Sequence, residues 1–310
     1  MSKKNYLITV VGPTAIGKTA LAIKLANHYN CQIISCDSRQ FFKEMNIGTA
    51  VPSAEEQQQA PHHFIQNKSI FENYTVGDFE LEALAKLDEL FKENNIQILV
   101  GGSGLYVDAV LKGFDEFPDV NMGVREQLIQ EYQEKGITHL QDQLQQLDPT
   151  YYTYLKENNP QTLENPQRMM RFLEVTRGSD QPYSSYLGKR KNVRDFTPII
   201  IGLQADRELM YERINKRVDI MLANGLIDEV TQLQAHKDLN ALQTVGYKEI
   251  FDYLDQKTTL EFAVEEIKKN TRRFAKRQIT WFKRTPNTQW YDFTTPTPVI
   301  TDFINSIIKN

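Results

Sequence analysis

Residues 12 to 19 read Gly12-Pro13-Thr14-Ala15-Ile16-Gly17-Lys18-Thr19, and they stand between the apolar run LITVV and the amphipathic stretch TALAIKLANHY. The octapeptide fits G-x-x-x-x-G-K-[ST] without a mismatch, and strand before with helix after is the setting in which that pattern cradles phosphate. The two glycines let successive backbone N–H groups turn inward, and the helix N-terminus adds its dipole. Lys18 supplies a point charge and Thr19 a hydroxyl for Mg²⁺. A di- or triphosphate is the expected ligand.

Outward from this loop, apolar runs alternate with amphipathic stretches: Tyr6 to Val11, a helix from Lys18 to Tyr29, Gln32 to Cys36, a helix from Asp78 to Glu93, then Ile96 to Val100. Strand alternating with helix means a parallel sheet, and runs as apolar as ILV and IIS mean burial on both faces. The expected fold class is α/β, a P-loop NTPase-like parallel sheet core flanked by helices. From about Pro118 the pattern turns helical only, with Val124 to Glu134, His139 to Leu147, Tyr151 to Leu155 and Gln167 to Thr176. Asn165 before Pro166 reads as a cap followed by proline at the first helical position. A β run, Thr197 to Leu203, then returns to the sheet, followed by helices near Arg207 to Leu222 and Leu226 to His236. Residues 118–191 are therefore expected to be an inserted all-helical lobe, and residues 1–117 with 192–310 the core.

Composition excludes several classes. With 310 residues, 40% hydrophobic and 25% charged, the chain lies near the average for globular proteins, not for disordered, collagen-like or coiled-coil chains. A net charge of -4 announces no overall polyanion partner, so any nucleic-acid surface must be local. Cys31 and Cys36 are the only cysteines, and no Cys/His spacing suits a structural zinc, which fits a reducing cytosol. The N-terminus lacks a signal-peptide core and no apolar run approaches membrane-spanning length, so a soluble cytoplasmic protein is expected.

Nucleotide-hydrolysing phosphate-loop proteins usually place a metal-ligating Asp at the end of a second apolar strand. Here the run IQILV ends in Gly101-Gly102-Ser103. The carboxylate at a strand end near the loop is Asp37, in Ile33-Ile34-Ser35-Cys36-Asp37-Ser38-Arg39-Gln40. Strand carboxyl ends line the ligand crevice of an open parallel sheet, so Asp37 is a catalytic candidate, with a helix cap or a magnesium ligand as alternatives.

Taken together, GPTAIGKT, SCDSRQ, NIGTAVPSAEE with PHHF, GGSGLY, NPQRMMRFLEV, RINKRV, TVGYKEI and NTRRFAKRQITWFKR resemble the tRNA dimethylallyltransferases, in order from about residue 6 to residue 284. The resemblance implies transfer of a five-carbon prenyl group from dimethylallyl diphosphate to N6 of the adenine 3′ of the anticodon, in tRNAs reading codons that start with U. The cradle would then hold a diphosphate leaving group, with Mg²⁺ at Thr19. Adenine's amine is a poor nucleophile, helped by a base that takes its proton, and Asp37 resembles the family's base. Thr14 and Arg217, the second arginine of RINKRV, match the residues that assist the diphosphate. Arg213, one turn earlier on the same face, is the alternative.

The second substrate leaves its own mark. From Lys268 to Arg284 the chain carries eight basic residues in seventeen and no acid. At helical spacing Ile267, Phe274, Gln278 and Trp281 are expected inward, with Lys269, Arg272, Lys276 and Lys283 outward as a phosphate-reading side. Trp281 and Phe282 are expected in the core. Arg272, Lys276, Arg277, Gln278 and Lys283 match a tRNA-contacting segment of the family. So do Gln167, Arg168, Met169, Met170 and Arg171 in the lobe, where an anticodon loop would be gripped. Asp37, Ser38, Arg39, Gln40, Ser103, Thr244, Val245, Gly246, Tyr247, Lys248 and Glu249 match segments used around a flipped adenine. Ser103 replaces a common Thr, and Val51 stands where the pattern often has Lys. His62 and His63 are expected in an ordered loop without metal. The absence of a zinc-finger extension suggests a bacterial-type enzyme, expected to work as a monomer away from membranes. Competing readings are a small-molecule or nucleotide kinase, a free-adenylate prenyltransferase, and an RNA-binding protein fuelled by nucleotide.

Overall fold

A computed structural model describes residues 4–189 and 193–309. The chain divides into two compact units, Met1–Gly113 with Arg194–Asn310, and Phe114–Val193. The expected border between residues 191 and 192 lies outside the described residues.

The first unit is built on strands β1 (Asn5–Val11), β2 (Ile33–Ser35), β3 (His62–His63), β4 (Ile96–Val100), β5 (Phe196–Gln204) and β6 (Thr288–Asp292), in the order β3-β2-β4-β1-β5-β6. Every neighbouring pair is parallel. Side chains alternate across the sheet, so β1 must be apolar at successive positions. Ile8 and Val10 pack on one face with Leu21 and Leu25 of α1 (Lys18–Tyr29), while Leu7 and Val11 pack on the other with Ile34 and Leu99. Helix α2 (Ala54–Gln59) is closed by a reciprocal capping box between Ser53 and Glu56. Helix α3 (Val76–Leu90) starts two residues earlier than its apolar pattern suggests, because Thr75 and Asp78 form the same box. Helix α4 (Gly104–Lys112) follows the glycine-rich end of β4.

The second unit is helical: α5 (Met122–Leu147), α6 (Pro149–Asn158) and α7 (Pro166–Ser179) enclose Leu128, Leu140, Leu144, Met169 and Leu173. The helices expected over 124–134 and 139–147 form one element broken at Gly136, whose φ of 76° and ψ of -172° are not helical. Back in the first unit come α8 (Arg207–Ala223), α9 (Leu226–Gln232), α10 (Tyr247–Leu254), α11 (Leu260–Phe282) and α12 (Thr297–Ile308). Their third cluster contains Val218, Val230, Tyr247, Ile250 and Ile267. Among the described residues no helix is long and apolar enough to cross a membrane.

Where the chain re-enters the first unit, Arg194 donates from Nη2 to Glu80 Oε1 at 2.7 Å and to Ala109 O at 2.7 Å, and from Nε to Val110 O at 2.9 Å. Both charged side chains are at most 10% exposed. Arg194→Met should therefore destabilise the first unit by about 3 kcal/mol or more, because it leaves the Glu80 carboxylate buried without its cation. Arg194→Met with Glu80→Leu should regain most of that loss. Urea-unfolding midpoints check both, and equal midpoints for wild type and the single variant would contradict the expectation.

Candidate active site and RNA-facing surface

The residues of the phosphate loop adopt the backbone that the motif requires. Gly12 has φ +146°, and a Cβ there would stand 2.7 Å from the Leu203 carbonyl oxygen, so no larger residue fits. Gly17, with φ 108°, occupies the N-cap of α1 without any side-chain cap, which leaves the helix N-terminal N–H groups to an anion. Ala15 takes φ 64°, a left-handed value uncommon outside glycine. Lys18 donates from Nζ to the Pro13 carbonyl at 2.8 Å. Burial pulls its pKa down to about 8, against the pull of Asp37 in the other direction.

Two cavities of the first unit meet at this loop. The smaller, about 360 Å³, is lined by Lys18, Thr19, Glu56, His62 and Arg213. The larger, about 860 Å³, is lined by Arg39, Ser103, Arg277 and Trp281, and by the 244–246 segment. Thr14, Asp37, Thr49, Arg217, Phe274 and Gln278 line both. The two arginines differ in setting: Arg213 lines the smaller cavity and is tied by Nε to the Ala15 carbonyl at 2.9 Å with its guanidinium 4.8 Å over the Phe293 ring. Arg217 faces both cavities; burial lowers its pKa and the Asp37 and Glu56 carboxylates oppose that. Among the described residues no group of three or more acids, histidines or cysteines is arranged for a metal. The Thr19 hydroxyl lines the smaller cavity with Lys18 and is an oxygen donor of the kind Mg²⁺ takes beside phosphate.

Asp37 Oδ1 accepts from the Arg39 N–H at 3.1 Å. Arg39 donates from Nη1 to the Asn240 carbonyl at 3.0 Å. Gln40 Nε2 is held by the Thr49 and Ala50 carbonyls at 3.1 and 2.9 Å. The Ser103 hydroxyl accepts from the Ser38 N–H at 3.0 Å, bridging the loops after β2 and β4. Cys36 and Cys31 are buried, and burial raises both thiol pKa values, so neither is poised as a thiolate. His62 and His63 form the short edge strand β3 instead of the expected loop; His62 Nδ1 meets Ala60 O at 2.8 Å and His63 Nε2 meets Gln32 Oε1 at 2.7 Å.

Helix α11 is rotated from its expected phase. Its buried residues are Ala263, Ile267, Ala275, Gln278 and Phe282, whereas Phe274 and Trp281 are 37% and 38% exposed and line the large cavity. Phe282 is in the core as expected; Trp281 is not. Small Ala275 allows close packing on α8, and two glycines make room for the bulkier Gln278 and Trp281: a Cβ on Gly102 would lie 2.3 Å from Gln278 Nε2, and one on Gly104 would lie 2.4 Å from Trp281 Cδ1. Those glycines in GGSG were the available signal for this face. Gln278, 5% exposed, accepts the Thr14 N–H at 2.8 Å and donates to the Gly102 carbonyl at 2.9 Å. The charged side is also uneven. Arg272 is half-buried against α8, donating to Asn215 Oδ1 at 2.7 Å, and Lys268 pairs with Asp219 at 2.9 Å. Lys269 pairs with Glu266. Lys276, Arg277, Lys283 and Arg284 are exposed.

In the 244–249 segment, Thr244, Val245, Gly246, Lys248 and Glu249 line the large cavity, but Tyr247 is fully buried. The Tyr247 hydroxyl donates to Glu229 Oε1 at 2.6 Å, and the same carboxylate accepts the N–H groups of Asn46, Ile47 and Gly48 at 3.0, 2.7 and 2.9 Å. Sequence reading missed Glu229, since nothing local marks an acid that serves residues about 180 positions away. Glu249 accepts from the Gly246 N–H and from Asn270 Nδ2, each at 2.8 Å. In the helical unit Gln167, Arg168 and Arg171 are exposed, with Arg168 donating to Thr162 Oγ1 at 3.0 Å and Arg171 to Glu174 Oε2 at 3.0 Å. Met169 and Met170 are buried in that unit's core, so the expectation of an RNA-facing role for these two side chains, and likewise for Tyr247, is corrected by their packing.

The chain is similar to known proteins along nearly its whole length. A family model described as IPP transferase matches residues 40–285. A tRNA dimethylallyltransferase of Flavobacterium psychrophilum is 66% identical over 99% of this chain and 100% of that protein. The crystal structure of the full-length tRNA isopentenylpyrophosphate transferase from Bacillus halodurans is 35% identical, with TM-score 0.73, covering 99% of this chain and 97% of its own. A eukaryotic dimethylallyltransferase acting on tRNA is 25% identical, with TM-score 0.82, covering 99% of this chain and 80% of its own.

The seat of Trp281 is directly testable. Gly104→Ala places a Cβ against the indole and should displace its Nε1–H from Asp108 Oδ2, which it now meets at 3.0 Å. In a Trp290→Phe background the emission maximum should shift to the red, with destabilisation of about 1–3 kcal/mol from overpacking. Unchanged emission and stability would contradict the tight seat.

Proposed function

The chain belongs to the IPP transferase family, and on that premise we propose that it transfers a dimethylallyl group from dimethylallyl diphosphate to N6 of the adenine 3′ of the anticodon, in tRNAs reading codons that start with U. It would do so as a cytoplasmic monomer. The observation that carries the reading is that Asp37, Thr14 and Arg217 line both the anion cradle and the larger cavity, so groups bound in the two would meet at a carboxylate.

In the reaction, N6 attacks the allylic carbon, the N–C bond forms, the C–O bond to the diphosphate breaks and the N6 proton passes to Asp37. The departing diphosphate gains charge where the loop amides, Lys18, Thr14 and Arg217 converge, which favours the transition state over the ground state. Mg²⁺ held at Thr19 would neutralise part of that charge when bound. The 860 Å³ cavity, walled by Trp281 and Phe274 and rimmed by Arg39 and Arg277, suits a base removed from its stack. The exposed Lys276, Arg277, Lys283 and Arg284 suit a phosphate backbone, as do Arg168 and Arg171 on the helical unit.

Incubation with unmodified tRNA and labelled dimethylallyl diphosphate, followed by nucleoside analysis, tests the proposal: label should appear in N6-isopentenyladenosine. Unlabelled tRNA, or stoichiometric ATP hydrolysis, would overturn it. Asp37→Asn should keep tRNA affinity and lose about 10²- to 10⁴-fold in rate, because an amide cannot take the proton; a rate within a few-fold of wild type removes Asp37 from that role.

Lys18 sets a pH dependence. Since its ammonium is charged below a pKa of about 8 and neutral above it, affinity for dimethylallyl diphosphate should fall as pH rises from about 7 to about 9.5. Lys18→Met should bind weakly with that fall removed. Calorimetric titration across the range checks both, and a wild-type affinity independent of pH would contradict the assignment.

A further inference from the structure

Gln278 stands on the helix that carries the exposed cations, yet its chemistry faces the other way. Its side chain is 5% exposed, and both ends of its amide are engaged with backbone: Oε1 accepts the Thr14 N–H at 2.8 Å, and Nε2 donates to the Gly102 carbonyl at 2.9 Å. Thr14 belongs to the loop after β1 and Gly102 to the loop after β4, so one residue joins α11 to both. The seat depends on glycine at 102, since a Cβ there would lie 2.3 Å from Nε2 and 3.6 Å from Lys18 Nζ. Each bond also satisfies a backbone group at the neck between the two cavities, where an unmade bond is costly.

We propose that Gln278 is a positioning residue for the donor diphosphate, a clamp that fixes Thr14 and the phosphate loop against α11 and takes no direct part in holding RNA. The proposal rests on the reading of the cradle as a diphosphate site. With the Thr14 N–H directed to Gln278, the loop presents its remaining amides and the Thr14 hydroxyl to the ligand in one geometry. Released from the clamp, Thr14 is free to turn, and preorganisation of the cradle is lost.

Gln278→Met keeps an unbranched side chain of similar reach without either hydrogen bond. Binding of inorganic diphosphate, and separately of an unmodified tRNA transcript, is measured by titration, and exchange of the Thr14 amide by NMR. The expected result is diphosphate affinity lowered roughly tenfold or more, tRNA affinity within about twofold of wild type, and accelerated exchange at Thr14. Gln278→Leu, shorter and likewise without either hydrogen bond, adds no charge beside the cradle. It should weaken diphosphate in the same sense, with tRNA affinity again unmoved, so either variant decides the matter if the other does not fold. A loss of tRNA affinity with diphosphate binding close to that of wild type overturns the clamp. Failure of wild-type protein to bind diphosphate would instead overturn the reading of the cradle itself.

Discussion

The arrangement depends on the insertion of β4 between β1 and β2. Parallel strands buried on both faces satisfy their backbone only through neighbouring strands, and the ladder continues past the strand ends: the Cys36 N–H donates to Val100 O at 2.8 Å and the Gly101 N–H to Val10 O at 3.3 Å. These last rungs set the starts of three loops side by side, with Gly12, Asp37 and Gly102 leaving the same edge of the sheet. The crevice at the carboxyl ends of the strands follows from that backbone constraint.

Into this crevice the fold brings opposite charges under partial burial. Lys18, Arg213 and Arg217 converge on one cavity with the Asp37 and Glu56 carboxylates. Burial disfavours the Lys18 and Arg217 cations, pulling the Lys18 pKa down to about 8, and a polyanion that replaces the lost water relieves that cost. As the proposed anion site, this cavity is held poised by the surrounding packing. Glu229 has a related task at a distance. Its carboxylate gathers three backbone N–H groups and the Tyr247 hydroxyl, fixing the 46–48 turn, and Gly48 of that turn lines the large cavity.

Helix α11 shows how one element serves packing and chemistry with different faces. Ala263, Ile267, Ala275 and Phe282 bind it to the body of the unit, Gln278 secures two loops, and Phe274 with Trp281 walls the larger cavity. The cations then occupy what remains. Those nearest α8 are drawn into local pairs, such as Arg272 with Asn215 and Lys268 with Asp219, and the exposed ones cluster toward the C-terminal end.

The sequence by itself determined the parallel α/β core, the phosphate loop and the all-helical insertion, because each rests on local patterns: apolar runs bounded by glycine, a strand and a helix around G-x-x-x-x-G-K-T, and helical periodicity without strands. It also brought Asp37 forward, since a carboxylate just beyond a buried strand end has one place to go. The tertiary structure alone decided the phase of α11, because an apolar count cannot distinguish an aromatic that fills a core from one that walls a cavity, and here glycines far away in the chain, such as Gly102, 176 residues before Gln278, set the choice. It alone showed that Arg217 lines both cavities whereas Arg213, tied to Ala15 and lying over Phe293, lines only the smaller one, although the two share a helical face. It alone showed Met169, Met170 and Tyr247 enclosed within motifs that also carry exposed Arg168, Arg171 and Lys248, since a motif records which residues occur together and not which way each side chain points. Edge strands β3 and β6 were illegible for a similar reason: two and five residues of mixed polarity carry no periodic signal, and they become strands because β2 and β5 present unpaired backbone beside them.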